Sequence, residues 1–243
     1  RTFVADSYSC RIDKGTHRAM NRFRACAYTV SRNHTRTAWV LKGDIRKFFA
    51  SIDHEVLLVI LHEYIPDMRI IALLRNIVSS FSHEILPPTQ GRGQNDGRGR
   101  KRGLPLGNLT SQLFCNIYMN VFDQFVKHEL KVKYYIRYAD DFVILSEDRA
   151  WVLKLLPHIT HFLKERLHLT LHPKKVFLKT FASGVDFLGW VHFPDHRVVR
   201  TATKKRMVRR IAEHPTKGTI MSYRGMLGHG NAQRLKRQYL AIN

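Results

Sequence analysis

An α+β fold built on an antiparallel sheet follows from three features of the sequence. Strand-favouring runs and helical stretches interleave without the regular strand-helix-strand alternation that a parallel sheet requires. Two segments, Tyr134 to Leu145 and Val185 to Val199, read as β-hairpins, the first bending at Ala139-Asp140-Asp141 and the second near Pro194-Asp195. Between Asn108 and Leu130, Leu109, Leu113, Ile117, Val121 and Phe125 recur at every fourth position, which reads as one long helix packing through that row.

The remaining elements follow in order. Residues 1–36 are basic, with a turn signal at Lys14-Gly15 and a helix expected from Thr16 to Val30. Because the chain opens with Arg1 in the middle of a patterned segment, an N-terminal portion is expected to precede it. Thr37 to Gly43 is a short strand that delivers Asp44 to a turn. Asp53 is placed to cap a helix running to Tyr64, and a second helix, Asp67 to Phe81, follows with Pro66 in its first turn. Thr89 to Gly103 is rich in Gly and Arg, buries nothing, and is expected as a mobile basic loop. Trp151 to Leu167 reads as helix and Leu169 to Leu178 as extended chain. Thr203 to Asn243 is basic and mostly helical, punctuated by Gly225, Gly228 and Gly230.

Composition narrows the function. At 243 residues and 44% hydrophobic content the chain can fill a real core. Lys and Arg total 41 against 19 Asp and Glu, a formal charge of +22 that points to a polyanionic partner. Nucleic acid is favoured over membrane, because no apolar run approaches the ~20 residues of a spanning helix and the basic residues are spread through the chain. From charge alone, a ribosomal-type protein that binds RNA as a counterion is the plain alternative. Cys10, Cys26 and Cys115 form no Cys-x-x-Cys pair and sit in apolar contexts, as reduced, buried thiols of a cytosolic protein would. The pairs His54-Glu55, His62-Glu63, His83-Glu84 and His128-Glu129 lack the second His of a zinc protease helix, which excludes that chemistry.

Adjacent acids at a hairpin bend each disfavour ionisation of the other, and a divalent cation removes that cost. A bare Asp-Asp pair is common in turns for ordinary reasons. Here Asp140-Asp141 is embedded in apolar strands, preceded by Tyr138, and accompanied by a third strand-end acid, Asp44. Tyr138-Ala139-Asp140-Asp141 resembles the Tyr-x-Asp-Asp box of reverse transcriptases, and Leu41 to Phe49 (LKGDIRKFF) their first carboxylate motif. Gly103 to Gln112 (GLPLGNLTSQ) is similar to the box that opens the long palm helix. Leu171 to Lys175 (LHPKK) is similar to the lysine motif and Phe187-Leu188-Gly189-Trp190 to the primer-grip hairpin.

That resemblance implies a right-hand polymerase: residues 1–36 as the remnant of the fingers and the fingers-palm junction, 37–200 as the palm with the primer-grip hairpin, and 201–243 as a helical thumb. It implies that Asp44 and Asp140 bridge two Mg²⁺ ions, with Mn²⁺ a possible substitute, supported by Asp141 and the Ile45 carbonyl. Backbone amides of Lys47 and Phe48 would hold phosphate oxygens of the dNTP. Phe49 would lie under its sugar, where a ring leaves no room for a 2′-hydroxyl, and Phe48 would be core. Leu106, Gly107 and Gln112 belong to the same nucleotide-binding box. Lys175 aligns with the lysine proposed to protonate departing pyrophosphate, although a Lys after Pro is by itself an ordinary solvated side chain. Tyr138, Leu188, Gly189 and Trp190 would contact primer and template, and basic thumb helices would follow the phosphates of the template RNA and cDNA duplex.

One departure narrows the subfamily. Most reverse transcriptases have Gln-Gly-x-x-x-Ser-Pro in the helix-opening box, whereas Leu106 and Gln112 stand here at the Gln and Pro positions. The Leu106 to Gln112 form (LGNLTSQ), with Ser7-Tyr8 and Ser222-Tyr223-Arg224-Gly225, is similar to the reverse transcriptases of diversity-generating retroelements. That resemblance implies a cytoplasmic, prokaryotic or phage-encoded enzyme, error-prone at template adenines, that works with a basic pentameric accessory protein. The alternatives are a group II intron-type reverse transcriptase and a non-catalytic nucleic-acid-binding scaffold of the same fold. On that resemblance the Leu106 side chain, unable to hydrogen-bond the sugar of the incoming nucleotide, would loosen control of its placement and weaken discrimination between correct and incorrect pairs. Leu106→Gln is therefore expected to lower misincorporation opposite adenine several-fold, read by sequencing cDNA; an unchanged error spectrum removes Leu106 from the account.

Overall fold

The computed structural model describes residues 3–84, 101–105 and 109–239. Residues 89–100 of the expected basic loop lie outside the described residues, as do Leu106 and Gly107. Among the described residues, helices α1 (Thr16–Val30), α2 (Phe48–Ser51), α3 (His54–Tyr64), α4 (Met68–Glu84), α5 (Leu109–Gln124), α6 (Arg149–Leu167), α7 (Thr201–Glu213), α8 (Lys217–Leu227) and α9 (Gln233–Tyr239) are interspersed with seven strands. Four of these, β1 (Trp39–Asp44), β2 (Tyr134–Tyr138), β3 (Asp141–Ser146) and β4 (Phe177–Thr180), form a sheet in the order β2-β3-β1-β4. Strands β5 (Val185–Phe187), β6 (Trp190–His192) and β7 (Arg197–Val199) form an antiparallel meander. The α+β architecture expected from the sequence is present.

The chain divides into two compact units. The first comprises Arg1–Gly15, Leu41–Ile144 and Arg149–Phe177; the second comprises Thr16–Val40, Leu145–Asp148 and Leu178–Asn243. In the first unit α3 begins where expected: Asp53 Oδ1 accepts from the amides of Glu55 (3.0 Å) and Val56 (3.3 Å). Asp67 performs the same service for α4, accepting from Arg69 N at 2.8 Å. Pro66 therefore precedes the cap and is not in the first turn of the helix.

Helix α5 packs through a different face from the one expected. Phe114, Cys115, Tyr118, Met119, Phe122 and Val126 are buried, whereas Leu113 is 53% exposed and Ile117 and Val121 are half-buried. An ideal helix turns 100° per residue, so a strict every-fourth row drifts 40° at each step and cannot stay on one face. The buried set, with its mixed steps of three and four, does. Beyond Gln124 the helix widens into a π-turn, Phe125–Glu129, where the expected single helix ends. Leu169 to Leu178 is extended only in part, because a turn at residues 173–175 interrupts it.

In the second unit α1 has the expected bounds and buries Ala19, Met20, Phe23, Cys26, Ala27 and Val30 on one face. The expected hairpin from Val185 to Val199 is a three-stranded meander. Leu188 (φ 53°) and Gly189 (φ 84°) make an extra two-residue turn before the bend at Pro194-Asp195, pairing Phe187 with Trp190. Trp190, Met207, Leu227 and Ala232 share a core with Met20, and the Trp190 ring rests on Gly230 where a side chain would stand. Of the three cysteines, Cys26 and Cys115 are buried as expected; Cys10 is exposed.

His192 is fully buried against the Phe23 ring (5.2 Å between centroids); its Nε2 lies 3.2 Å from the Phe187 carbonyl and its Nδ1 has no hydrogen-bond partner. Burial pushes its pKa down to about 4, with Arg197 and Arg24 opposing its charge in the same sense. An unfolded His takes up a proton as pH falls through ~6.5 and the buried one does not, so stability drains away from pH 6.5 down to about 4. The loss amounts to roughly 3 kcal/mol across that window. His192→Phe is expected to flatten this part of the stability-pH profile, measured by denaturant titration; an unaltered slope refutes the assignment.

Candidate active site at the carboxylate turn

Three acids meet at neighbouring strand ends of the first unit. Asp44 ends β1, Asp140 lies in the two-residue turn between β2 and β3, and Asp141 opens β3, the strand beside β1. The approach is made possible by Gly43: the Phe142 ring occupies the space its side chain would need, so a larger residue would wedge β1 from β3. Ala139 turns the chain with a left-handed φ of 54°, uncommon for a residue with a Cβ.

The loop carrying Lys175 is strapped to the end of β1. Arg46 N donates to Thr170 O (2.8 Å), His172 N donates to Asp44 O (2.7 Å), and Ile45 forms an isolated bridge with Leu171. Lys175 Nζ then reaches both Asp44 oxygens, at 3.1 and 3.0 Å. Lys42 stands two residues before Asp44 on β1, hence on the same face, and its buried ammonium lies 3.3 Å from Asp141 Oδ1. That separation makes an ion pair, and Lys42 holds the Asp141 pKa lower than burial alone would set it.

Electrostatics follow from this crowding. Burial raises the pKa of Asp141 to about 6; Lys42 opposes the shift, and the charges of Asp140 and Asp44 add to it. Burial also raises the pKa of Asp140, with Asp44 adding to the shift and Lys175 and Lys42 countering it. The donor set suits a hard divalent cation: carboxylates that resist ionisation together, with ammonium groups already drawn in as counter-charges. Among the described residues no three His, Cys, Asp or Glu side chains form a ready-made cage. A Mg²⁺ ion bound by one or two carboxylates and completed by substrate phosphates needs none.

The other expected site residues are distributed as follows. Lys47 is exposed with a left-handed φ of 47°, Phe48 is buried and Phe49 half-buried, their rings 5.5 Å apart edge to face. Leu104 N donates to Phe49 O at 2.8 Å, tying the start of the helix-opening box to this corner. Half-buried Gln112 accepts from Cys10 Sγ at 3.0 Å. Tyr138 is half-buried at the end of β2. Leu188, Gly189 and Trp190 form the β5-β6 turn of the second unit, where Gly189 O accepts from Arg200 N at 3.1 Å.

Lys42 and Arg137 lie beside the motif acids without having been singled out in the sequence. The signal for Lys42 is its two-residue spacing from Asp44; for Arg137 it is a lone charge in the apolar arm Tyr134 to Tyr138. Lys42→Met leaves Asp141 buried without its cation and is expected to destabilise the fold by about 3 kcal/mol. Lys42→Met with Asp141→Asn should recover most of that loss in chemical denaturation; strictly additive losses would mean that the pair is not coupled.

A family model described as reverse transcriptase (RNA-dependent DNA polymerase) matches residues 4–192. Protein YkfC of Escherichia coli is 24% identical over 242 residues, covering 86% of this chain and 59% of the relative. The group II intron-encoded protein LtrA of Lactococcus lactis subsp. cremoris is 23% identical over 266 residues, covering 82% and 40%. The chain thus spans less than two thirds of either relative. In fold it is similar to apo telomerase from Candida tropicalis, with a TM-score of 0.55 and 13% identity over 80% of this chain and 41% of that one. A family match across most of the chain, joined to carboxylates at the strand ends where the motifs put them, gives one conclusion: this chain belongs to the reverse transcriptase family.

Proposed function

We propose that the protein is an RNA-directed DNA polymerase that extends a primer on a template RNA, with Asp44 and Asp140 as its metal-holding carboxylates. The observation that carries this reading is the meeting of Asp44 with the Asp140-Asp141 turn, two lysines balancing their charge. A divalent cation pair, Mg²⁺ or Mn²⁺, would supply an acidified primer 3′-hydroxyl and charge neutralisation on the triphosphate. Asp44 and Asp140 would hold those ions with the Ile45 carbonyl, while Asp141, paired with Lys42, would support them. Lys175, 3.0 Å from Asp44 Oδ2, would be the proton donor to leaving pyrophosphate in this reading. Phe49 bars a 2′-hydroxyl, and the amides of Lys47 and Phe48, with Leu106, Gly107 and Gln112, bind the dNTP.

In this reading residues 1–36 belong to the fingers and the fingers-palm junction, 37–200 to the palm and 201–243 to the thumb. Tyr138 and the Leu188-Gly189-Trp190 turn meet primer and template. The helix-opening sequence Leu106 to Gln112 favours a diversity-generating retroelement, with error-prone copying at adenines in mutagenic retrohoming and a basic pentameric accessory protein as partner. A second reading, a group II intron-type enzyme, is favoured by the similarity to LtrA.

Primer extension on an RNA template with Mg²⁺ and dNTPs tests the activity. The protein is expected to extend the primer and Asp140→Ala to abolish extension while still shifting template mobility. Binding without extension by the unaltered protein would make it a scaffold, and sequencing the products with and without the accessory protein separates the two subfamilies.

A further inference from the structure

We propose that Arg137 is a positioning residue for the carboxylate turn: it fixes the backbone at Ala139 and thereby aims Asp140. Arg137 lies on β2, is fully buried, and spends its planar fork on three partners. Nε and Nη2 donate to Asp123 Oδ1 and Oδ2 at 2.7 and 2.6 Å, Nη2 also donates to Ser7 Oγ at 3.0 Å, and Nη1 donates to the Ala139 carbonyl at 3.0 Å. Tyr135 Oη donates to Asp123 Oδ1 at 2.6 Å, the third bond on that carboxylate. One guanidinium therefore joins helix α5, the segment at Ser7 and the turn that bears Asp140.

The geometry at Ala139 makes that last bond more than packing. A left-handed φ of 54° is unfavourable for an L-residue with a Cβ and persists where surroundings over-determine it. A donor on the Ala139 carbonyl holds the peptide plane that leads into Asp140, so rotation of that plane would swing the carboxylate away from Asp44. A buried, fully bonded ion pair is a weak source of stability compared with apolar packing, but a planar five-donor fork fixes geometry closely. Lysine keeps the charge opposite Asp123 and lacks the fork, so it cannot serve all three acceptors.

The test uses the full chain and compares Arg137→Lys with the parent in thermal melting, Mn²⁺ binding followed by electron paramagnetic resonance, and steady-state primer extension. With a folded Arg137→Lys, Mn²⁺ affinity and kcat are each expected to fall roughly 10- to 100-fold, as for other groups that orient metal ligands, while the dNTP KM stays within about twofold. Unchanged Mn²⁺ affinity and kcat, or a loss confined to KM, overturns the proposal. Should Arg137→Lys fail to fold, Asp123→Asn, which loosens the fork from its far side, is read by the same two criteria and decides in the same way. The kinetic arm rests on the polymerase reading. If the parent extends no primer that reading fails, whereas the Mn²⁺ comparison still decides the role of Arg137.

Discussion

Crowding of like charge at one corner of a sheet is the constraint on which the rest of this fold depends. Asp44, Asp140 and Asp141 approach each other only because Gly43 lets Phe142 lie against β1. They remain together because Lys42 and Lys175 supply counter-charge on either side. Burial is the larger cost and like charge adds to it, as the raised pKa values of Asp140 and Asp141 record. A corner that resists full ionisation when left to itself would gain from added positive charge, which would offset both the burial and the repulsion.

The support behind that corner is polar where a simpler core would be greasy. Tyr135, Arg137 and Asp123 are all buried and bonded to one another. Burial opposes the charge on Arg137, but Asp123 and Tyr135 outweigh it and hold the guanidinium above its ordinary pKa. The neighbouring apolar shell of Phe122 and Phe142 keeps water from competing for these bonds.

Much of this was legible in the sequence, and the parts that were not share a cause. Strong local signals carried through: α1 has its expected bounds, Asp53 caps α3, and the Asp-Asp pair falls at a tight bend. The face of α5 did not, because a row of residues at equal spacing looks regular in one dimension yet winds around a helix. The Leu188-Gly189 turn was hidden because Leu does not advertise a left-handed conformation, while the more obvious Pro194-Asp195 drew the eye. Lys42 and Arg137 escaped notice since pairing depends on which strands become neighbours, and β1 meets β3 across a separation of roughly a hundred residues that periodicity cannot span. Motif order located the acids; the cations and the clamp behind them required coordinates.

The segment from Asp6 to Tyr8 has a bearing on solubility. Arg137 N donates to Asp6 O and Tyr8 N to Arg137 O, both at 2.9 Å, so this stretch hydrogen-bonds alongside β2, the outermost strand of its sheet. An outermost strand with unfilled amides and carbonyls is a template for foreign strands. Here the chain covers that margin at Arg137 with its own backbone, making the border next to the carboxylate bend a poorer seed for aggregates.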